Sequence, residues 1–423
     1  MSLNNTPKAN RLHIGIFGRR NAGKSSLINA LTGQNLAIVS DTPGTTADPV
    51  YKSMELHPIG PVVFIDTAGF DDEGDLGELR VAKTASVISR TDLAIVVIDG
   101  TNLTSENDKQ AALEQERAWF DRLKEANVPT IIAINKWDVL NEEERLSAFN
   151  ASTDFADTVA IPVSAETGAG IDALRKAIQD ALPDDYMEGR ILGDMLEDGS
   201  LVLLVMPQDI QAPKGRLILP QVQTLRELLD RKCQVMSTTA DGFAKAVESL
   251  NRAPDLIITD SQCFGDVYVQ RPEVSALTSF SILMAASKGD INVFVEGVSA
   301  IDEALAKFEG AAAAEPFKVL IAEACTHVPL NEDIGTVKIP RLLHKTFSDN
   351  VTITSVRGND FPAVDDLKQY DLIIHCGACM FNRKHVMSRI AVAQEAGVPI
   401  TNYGVFLAKM AGILDKVSLP EHN

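Results

Sequence analysis

Residues 18–25 contain glycine, lysine and serine at the spacing that proteins use to hold phosphate groups. The stretch fits the pattern G-x-x-x-x-G-K-S/T, and it lies between an apolar strand-like run and a helical pattern. Its glycines let backbone N–H groups turn toward phosphate oxygens, Lys24 can neutralise the β- and γ-phosphates, and Ser25 can ligate Mg²⁺. The stretch therefore predicts a nucleoside triphosphate site. The residues expected to contact the nucleotide here are Gly18, Asn21, Ala22, Gly23, Lys24, Ser25 and Ser26.

Three short motifs, each after a strand-like run, predict the rest of a guanine nucleotide site. Asp66 would hold the Mg²⁺ shell, and the N–H of Gly69 can contact the γ-phosphate. Residues 135–138 end in Asp138, whose carboxylate can accept hydrogen bonds from N1–H and the amino group of guanine. Adenine does not present those donors, so the motifs indicate GTP. The residues expected to form the base pocket are Asn135, Lys136, Asp138, Ser164 and Ala165.

Cysteine and histidine residues in the last third of the chain have the types and spacing of a metal site. Cys325 and His327 end one apolar run, and residues 375–379, His-Cys-Gly-Ala-Cys, end another. Because strand ends converge on one crevice of an open α/β sheet, three thiolates and two imidazoles could meet there. Three sulfur ligands suit an iron–sulfur cluster with one iron not bound by thiolate, or a Cys₃His zinc site. A redox dithiol is a further alternative for the Cys-x-x-Cys pair.

The composition places these motifs in a globular chain. Its 423 residues include 39 Lys and Arg against 58 Asp and Glu, which gives a net charge of −19. That balance argues against a nucleic-acid partner bound through phosphate neutralisation. The apolar runs are far shorter than the ~20 residues of a membrane span, and the first residues lack the apolar segment of a signal peptide. We therefore expect a cytoplasmic protein with no membrane partner.

Alternating apolar runs and helical patterns predict an α/β protein of three domains. We expect a doubly wound P-loop sheet in residues 1–183, a small α/β domain in residues 191–271 and a C-terminal α/β domain in residues 272–423. Residues 276–286 predict a helix, and residues 291–297 predict a strand. No internal repeat is visible in the sequence.

The first domain resembles the Era/TrmE-like branch of the translation-factor-class GTPases over about residues 11–182. The resemblance implies hydrolysis of GTP to GDP and phosphate, with Lys24, Asp66 and Thr46 as the catalytic residues. Thr46 ends a stretch that looks like the switch I motif of that branch, and it is the Mg²⁺ ligand expected beside Ser25.

Two residues of this domain bear on the rate of hydrolysis. Phe70 stands where Ras-like proteins carry a water-orienting glutamine, so slow intrinsic hydrolysis or outside help is expected. Asn21 matches the asparagine that coordinates K⁺ in potassium-dependent members of the branch. A polar turn residue is the alternative interpretation of Asn21.

A GTPase of this kind joined to Cys-x-His and His-Cys-x-x-Cys motifs resembles the HydF family of [FeFe]-hydrogenase maturation GTPases. The resemblance spans nearly the whole chain and includes residues 209–216 and 331–333. It implies a dimerisation domain, a homodimer or tetramer, and a C-terminal domain that binds a [4Fe–4S] cluster. It also implies delivery of a two-iron precursor to apo-[FeFe]-hydrogenase, with two radical-SAM maturases as further partners. The residues that match its cluster ligands are Cys325, Cys376 and Cys379, and the candidates for the fourth position or for tuning the cluster are His327, His375 and Asp209.

Two other functions fit part of the sequence. A ribosome or tRNA-maturation GTPase would need an RNA-binding module, and neither a basic segment nor a KH-like pattern follows residue 183. A zinc-stabilised regulatory GTPase would differ from the cluster hypothesis only in the metal.

Overall fold

The computed structural model describes most of the chain as two compact units, Met1–Met187 and Glu188–Asn423. The described residues are 11–32, 50–56, 59–67, 86–103, 106–152, 155, 158, 160–182, 191–206, 217–310, 315–324, 334–358, 360–378 and 381–420.

The first unit contains a six-stranded sheet in the order β2-β3-β1-β4-β5-β6. β2 runs antiparallel to β3, and the other neighbours are parallel. The strands are β1 (Leu12–Phe17), β2 (Val50–Leu56), β3 (Gly60–Asp66), β4 (Leu93–Asp99), β5 (Thr130–Asn135) and β6 (Ala160–Pro162). The described helices are α1 (Lys24–Thr32), α2 (Glu106–Glu125), α3 (Glu142–Ser152) and α4 (Ile171–Asp180).

The apolar runs of the first unit form strands because both faces of the sheet are covered. Alternate residues point to opposite faces, so Ile16 packs with α1 and α4 while Phe17 packs with α2 and β4. The strand ends then share one edge, with Ile16 beside Asp66 and Asp99 beside Asn135. The predicted doubly wound sheet is confirmed.

The second unit contains two four-stranded parallel sheets, in the orders β10-β9-β7-β8 and β12-β11-β13-β14. The first has strands β7 (Leu201–Val205), β8 (Gln234–Thr238), β9 (Leu256–Thr259) and β10 (Ala276–Ser279), with helices α5 (Leu219–Asp230), α6 (Phe243–Glu248), α7 (Phe264–Gln270) and α8 (Phe280–Lys288). The second has strands β11 (Phe317–Glu323), β12 (Val351–Arg357), β13 (Leu372–His375) and β14 (Ile400–Asn402). The helices around it are α9 (Ile291–Gly297), α10 (Ala300–Gly310), α11 (Ile339–Phe347), α12 (Val364–Leu367), α13 (Arg383–Glu395) and α14 (Tyr403–Met410).

Both small sheets have the same strand order. In each sheet, the strand that comes first in the chain is central. The second strand in the chain lies on one side of it, and the third and fourth lie on the other side. The direction of winding therefore reverses between the first and third strands, and ligands of open α/β sheets bind at such a switch point. In the last sheet this point lies between the carboxyl ends of β11 and β13.

Two predictions of secondary structure were wrong. Residues 291–297 form helix α9, because the Asp290 carboxylate caps the N–H groups of Asn292 and Val293 and because Ile291, Phe294 and Gly297 are buried at helical spacing. Of residues 276–286, the first four form strand β10, which ends where Ser279 caps α8. β10 belongs to the same sheet as β7, β8 and β9, and it follows residue 271, the end expected for the second domain.

Candidate functional site

The loop between β1 and α1 is folded by glycines at close backbone approaches. Gly18 has φ 139°, and a Cβ there would lie 2.3 Å from the Val97 carbonyl oxygen. Gly23 has φ 88°, and a Cβ there would lie 2.2 Å from Asn135 Nδ2. Larger residues would push the loop away from the strand ends. Asn21 has φ 64° and is exposed, as is Ser26.

The charged and hydroxyl groups of this loop are held at the base of α1. The buried Lys24 donates from Nζ to the carbonyl oxygens of Gly18 at 2.5 Å and Arg19 at 2.7 Å. Ser25 Oγ donates to Asp66 Oδ2 at 2.8 Å. Asp66 is buried at the end of β3, and its Oδ1 has no hydrogen-bond partner among the described residues.

These groups fit a nucleotide with its metal ion. An unpartnered buried carboxylate oxygen costs about 1–3 kcal/mol or more, and a hard cation beside Ser25 and Asp66 would satisfy it. The first turn of α1 provides N–H groups and the positive end of the helix dipole for phosphate oxygens. The arrangement can therefore hold a phosphate chain with Mg²⁺.

Asn135 connects the phosphate loop to the loop after β6. Its Nδ2 donates to the Ala22 carbonyl at 2.9 Å, and its Oδ1 accepts the N–H of Ala165 at 3.0 Å. The neighbouring Ser164 is fully buried, and its Oγ accepts the N–H of Thr167 at 3.0 Å. Asn135 thus fixes the distance between the predicted phosphate and base subsites.

The remaining residues of the base motif lie on a turn after β5. Lys136 has φ 61°, and its Nζ donates to Asp99 Oδ2 at 2.5 Å. Asp138 lies in the 3₁₀ turn Trp137–Val139, and its side chain is exposed. The exposed carboxylate of Asp138 at this strand end is accessible to the guanine base of a nucleotide.

In the C-terminal sheet, the strand pairing places Cys376 next to the residue that precedes Cys325. Ala322 of β11 lies beside His375 of β13, and Cys376 Sγ accepts the N–H of Ala324 at 3.0 Å and the N–H of Ala378 at 3.4 Å. N–H···S bonds of this kind stabilise a thiolate and tune the potential of a cluster bound to it. A Cβ at position 377 would meet no heavy atom of the described residues within 4 Å, so space remains beside this loop.

His375 is buried, and both ring nitrogens have protein partners. Nδ1 lies 2.8 Å from the Cys376 carbonyl oxygen, and Nε2 lies 3.1 Å from Nη1 of Arg389. Burial, together with the nearby charge of Arg389, lowers the pKa of His375 to about 3, and the hydrogen bond to Cys376 opposes part of this shift. The imidazole is therefore neutral, and neither nitrogen is directed away from the protein in this arrangement.

Several predicted site residues lie outside the described residues. Among the described part of the chain, no group of three or more His, Cys, Asp or Glu side chains is placed to hold a metal ion. The structure therefore brings together the predicted loop, Asp66 and base-motif residues, but of the cluster residues it shows only His375 and Cys376. The predicted residues outside the described ranges are Thr46, Gly69, Cys325, His327, Cys379 and Asp209.

Sequence reasoning missed three residues that position these sites. Asp99 binds Lys136, and its place at the end of an apolar run before glycine was a usable signal. Asn402 donates from Nδ2 to the Cys376 carbonyl at 3.1 Å, and it too ends a strand. Arg389 lies in the middle of α13, where nothing in the sequence separates it from a surface arginine.

The fold and the loops at its strand ends define a P-loop GTPase, and a family model described as 50S ribosome-binding GTPase matches residues 13–136. The rest of the chain matches two other models. The hydrogen maturase F dimerization domain covers residues 191–289, and the hydrogen maturase F tetramerization domain covers residues 292–420. This chain belongs to the hydrogen maturase F (HydF) family, as its sequence motifs predicted.

Curated relatives match the GTPase part. The tRNA modification GTPase MnmE of Xylella fastidiosa is 38% identical over 179 residues, which is 42% of this chain and 35% of that protein. GTPase Der of Caldicellulosiruptor saccharolyticus is 36% identical over 138 residues, 32% of this chain and 29% of that protein. The chain thus spans only about a third of the length of these two relatives.

Two solved structures show low overall similarity. Aquifex aeolicus Era bound to GDP and AlF4⁻ is 19% identical with a TM-score of 0.33, and it covers 54% of this chain and 93% of its own. The FeoB G-domain of Methanococcus jannaschii is 23% identical with a TM-score of 0.29, covering 40% of this chain and 97% of its own. These similarities are too low to bear on the family of this chain.

Within the described residues, no helix has the length and apolar character to cross a membrane.

Proposed function

We propose that this HydF-type GTPase holds a [4Fe–4S] cluster in its C-terminal domain and delivers a two-iron precursor to apo-[FeFe]-hydrogenase. Its partners are the hydrogenase and two radical-SAM maturases, and it acts as a homodimer or tetramer. The hydrogen maturase F dimerization and tetramerization models support oligomerisation. The catalytic activity of the chain itself is GTP hydrolysis, supported by the GTPase model and the GTPase relatives.

The environment of Cys376 carries the cluster proposal. Its sulfur lies at the switch point of the last sheet and accepts two backbone N–H groups, one of them from Ala324. Cys325 follows Ala324 directly in the sequence, and Cys379 follows Cys376 by three positions. Three thiolates at one switch point can bind three irons of a cubane and leave the fourth for an exchangeable ligand, which a carrier needs. We propose Cys325, Cys376 and Cys379 as the cluster ligands.

In the GTPase unit, the chain's own groups bind, orient and neutralise the nucleotide. We propose that Lys24 binds β- and γ-phosphate oxygens, that Ser25 and Thr46 ligate Mg²⁺ and that Asp66 holds its water shell. Bound Mg²⁺ supplies charge neutralisation at the β- and γ-phosphates. Asp138 selects guanine, and the N–H of Gly69 contacts the γ-phosphate.

Metal analysis after anaerobic reconstitution tests the cluster proposal. Wild-type protein is expected to bind iron and sulfide in near-equal amounts and to show the EPR signal of a reduced [4Fe–4S] cluster. Cys376→Ser is expected to lose the stable cluster. Cys233→Ser is a matched control, because Cys233 is a buried free thiol directly before strand β8 of the other four-stranded sheet. Stoichiometric zinc with no iron would instead favour the zinc-site alternative.

A second candidate function is RNA maturation, because the curated relative MnmE is a tRNA modification GTPase. That match covers 42% of this chain, whereas residues 191–289 and 292–420 match hydrogen maturase F domains. Activation of apo-hydrogenase by the loaded wild-type protein, and its loss in a Cys325, Cys376 and Cys379 triple serine variant, decides between the two functions. Activation by the triple variant would contradict the carrier role.

A further inference from the structure

Arg389 is a buried arginine whose guanidinium group is held in place by contacts on several sides. Its guanidinium carbon lies 4.8 Å from the ring centre of Phe361 and 4.6 Å from that of Phe381. One terminal nitrogen donates to the Gly358 carbonyl, and the other lies 3.1 Å from Nε2 of His375. Cation–π contacts and directed hydrogen bonds together leave the planar group little freedom.

This contact determines the tautomer of His375. An arginine nitrogen can only donate, so Nε2 of His375 must accept and Nδ1 must carry the proton. Nδ1 then donates to the carbonyl of Cys376 at 2.8 Å. Arg389 therefore acts on Cys376 through one intervening imidazole.

The same carbonyl has a second side-chain donor whose orientation is also fixed. Asn402 Oδ1 accepts the N–H of Gly404 at 2.8 Å, so its Nδ2 must be the group that donates to the Cys376 carbonyl at 3.1 Å. Sγ of Cys376 also accepts two N–H groups. Hydrogen bonds therefore fix both the carbonyl group and the sulfur of Cys376.

We propose that Arg389 is a positioning residue for the cluster: it orients His375, which holds the Cys376 peptide, and its buried charge favours the reduced cluster. The inference rests on the proposed cluster at Cys376. It places His375 outside the iron coordination, since both ring nitrogens are used within the protein. A fixed positive charge beside an anionic cluster stabilises its more negative, reduced form, so Arg389 raises the reduction potential.

Variants at Arg389 test this role against a matched arginine on the same helix. R389Q removes the positive charge and the guanidinium donors. R389K keeps the charge but loses the planar guanidinium group with its several N–H donors. R383Q is the control, because Arg383 is an exposed residue of α13 that contacts the Gly289 carbonyl. Thermal unfolding of the apo-proteins checks that each variant is folded.

Two measurements separate positioning from simple stabilisation. EPR-monitored redox titration of the reconstituted proteins is expected to give a more negative potential for R389Q, a value nearer wild type for R389K and no shift for R383Q. Imidazole ¹⁵N spectra of histidine-labelled apo-protein, with the His375 signals assigned by their loss in H375Q, are expected to show the Nδ1–H tautomer in wild type and R383Q. The same spectra are expected to show changed ¹⁵N signals of His375 in R389Q and R389K.

The outcomes distinguish this inference from the proposed function. Wild-type protein that takes up no iron would overturn the cluster proposal and the role of Arg389 with it. A normal cluster whose potential is the same in wild type, R389Q and R383Q, with unchanged His375 signals, would overturn only the role of Arg389. If R389Q does not fold, a wild-type imidazole signal in R389K overturns it equally.

Discussion

The side-chain nitrogen of Asn135 lies 2.9 Å from the carbonyl oxygen of Ala22, although the two residues are far apart in the sequence. The bond joins the first residue of the base motif to the phosphate loop. Since the other end of the same amide binds Ala165, one side chain connects three loops at the strand ends. Correct spacing of these loops is what a nucleotide that spans them requires.

Removing this connection is expected to weaken nucleotide binding. In Asn135→Ala the Ala22 carbonyl and the Ala165 N–H lose their partner, which costs roughly 1–3 kcal/mol, or about 5- to 150-fold in affinity for GTP and GDP alike. Titration with a fluorescent guanine nucleotide measures the change. Gln179→Ala, at an exposed amide on α4, serves as the control. Equal affinities of Asn135→Ala and wild type would show that the connection has no role in binding.

Asp138→Asn is expected to shift preference from GTP toward xanthosine triphosphate. An amide presents one acceptor and one donor, which complement the N1–H and 2-oxo groups of xanthine, while one contact to guanine is lost. Because Asp138 is exposed, the substitution should leave the fold intact. A competition assay with both nucleotides should show at least a roughly tenfold change in their affinity ratio. Glu142→Gln, an exposed carboxylate on α3, should leave the ratio unchanged, and unaltered GTP preference in Asp138→Asn would refute the assignment.

GTP turnover is expected to be faster in K⁺ than in Na⁺. Phe70 stands where Ras-like proteins carry a catalytic glutamine, so a further cation near the phosphates would help to stabilise the transition state. Asn21 is exposed on the phosphate loop, where its side chain could help to bind that cation. Asn21→Ala should abolish the difference between the salts. Since φ is 64° at this position, alanine is also strained, and Asn21→Gly removes the side chain without that strain. Equal wild-type rates in the two salts would contradict the prediction.

Cys376→Ser is expected to separate the proposed cluster function from GTP turnover. Cluster binding and hydrogenase activation should be lost, while the GTP turnover rate should stay within about twofold of wild type, because the nucleotide loops belong to the other compact unit. Turnover is measured by phosphate release on apo-proteins, with Cys263→Ser, a buried free thiol that precedes α7, as the control. A large loss of turnover in Cys376→Ser alone would mean that the two units are not independent.

The amino-acid sequence by itself predicted the local chemistry and determined the fold class. The nucleotide roles of Lys24, Ser25 and Asp138 were predicted from turns and from donor or acceptor groups within a few residues, and the motif order along alternating strands and helices indicated the fold. The HydF-type domain architecture followed from the combination of motifs. Local pattern failed at residues 291–297, where an apolar run alone does not distinguish a strand from a buried helix and the Asp290 cap decided the outcome.

The residues that support these motifs became apparent only in the folded chain. Asn135 and Ala22, Asp99 and Lys136, and Arg389 and His375 are brought together by strand order and helix packing, and no local pattern records such pairings. The shared strand order of the two small sheets is likewise invisible in a sequence without a repeat, because many apolar sequences satisfy the same pattern of burial. Residues of a local motif can thus be predicted from the sequence. Residues that act by positioning another residue can be recognised only in the tertiary structure.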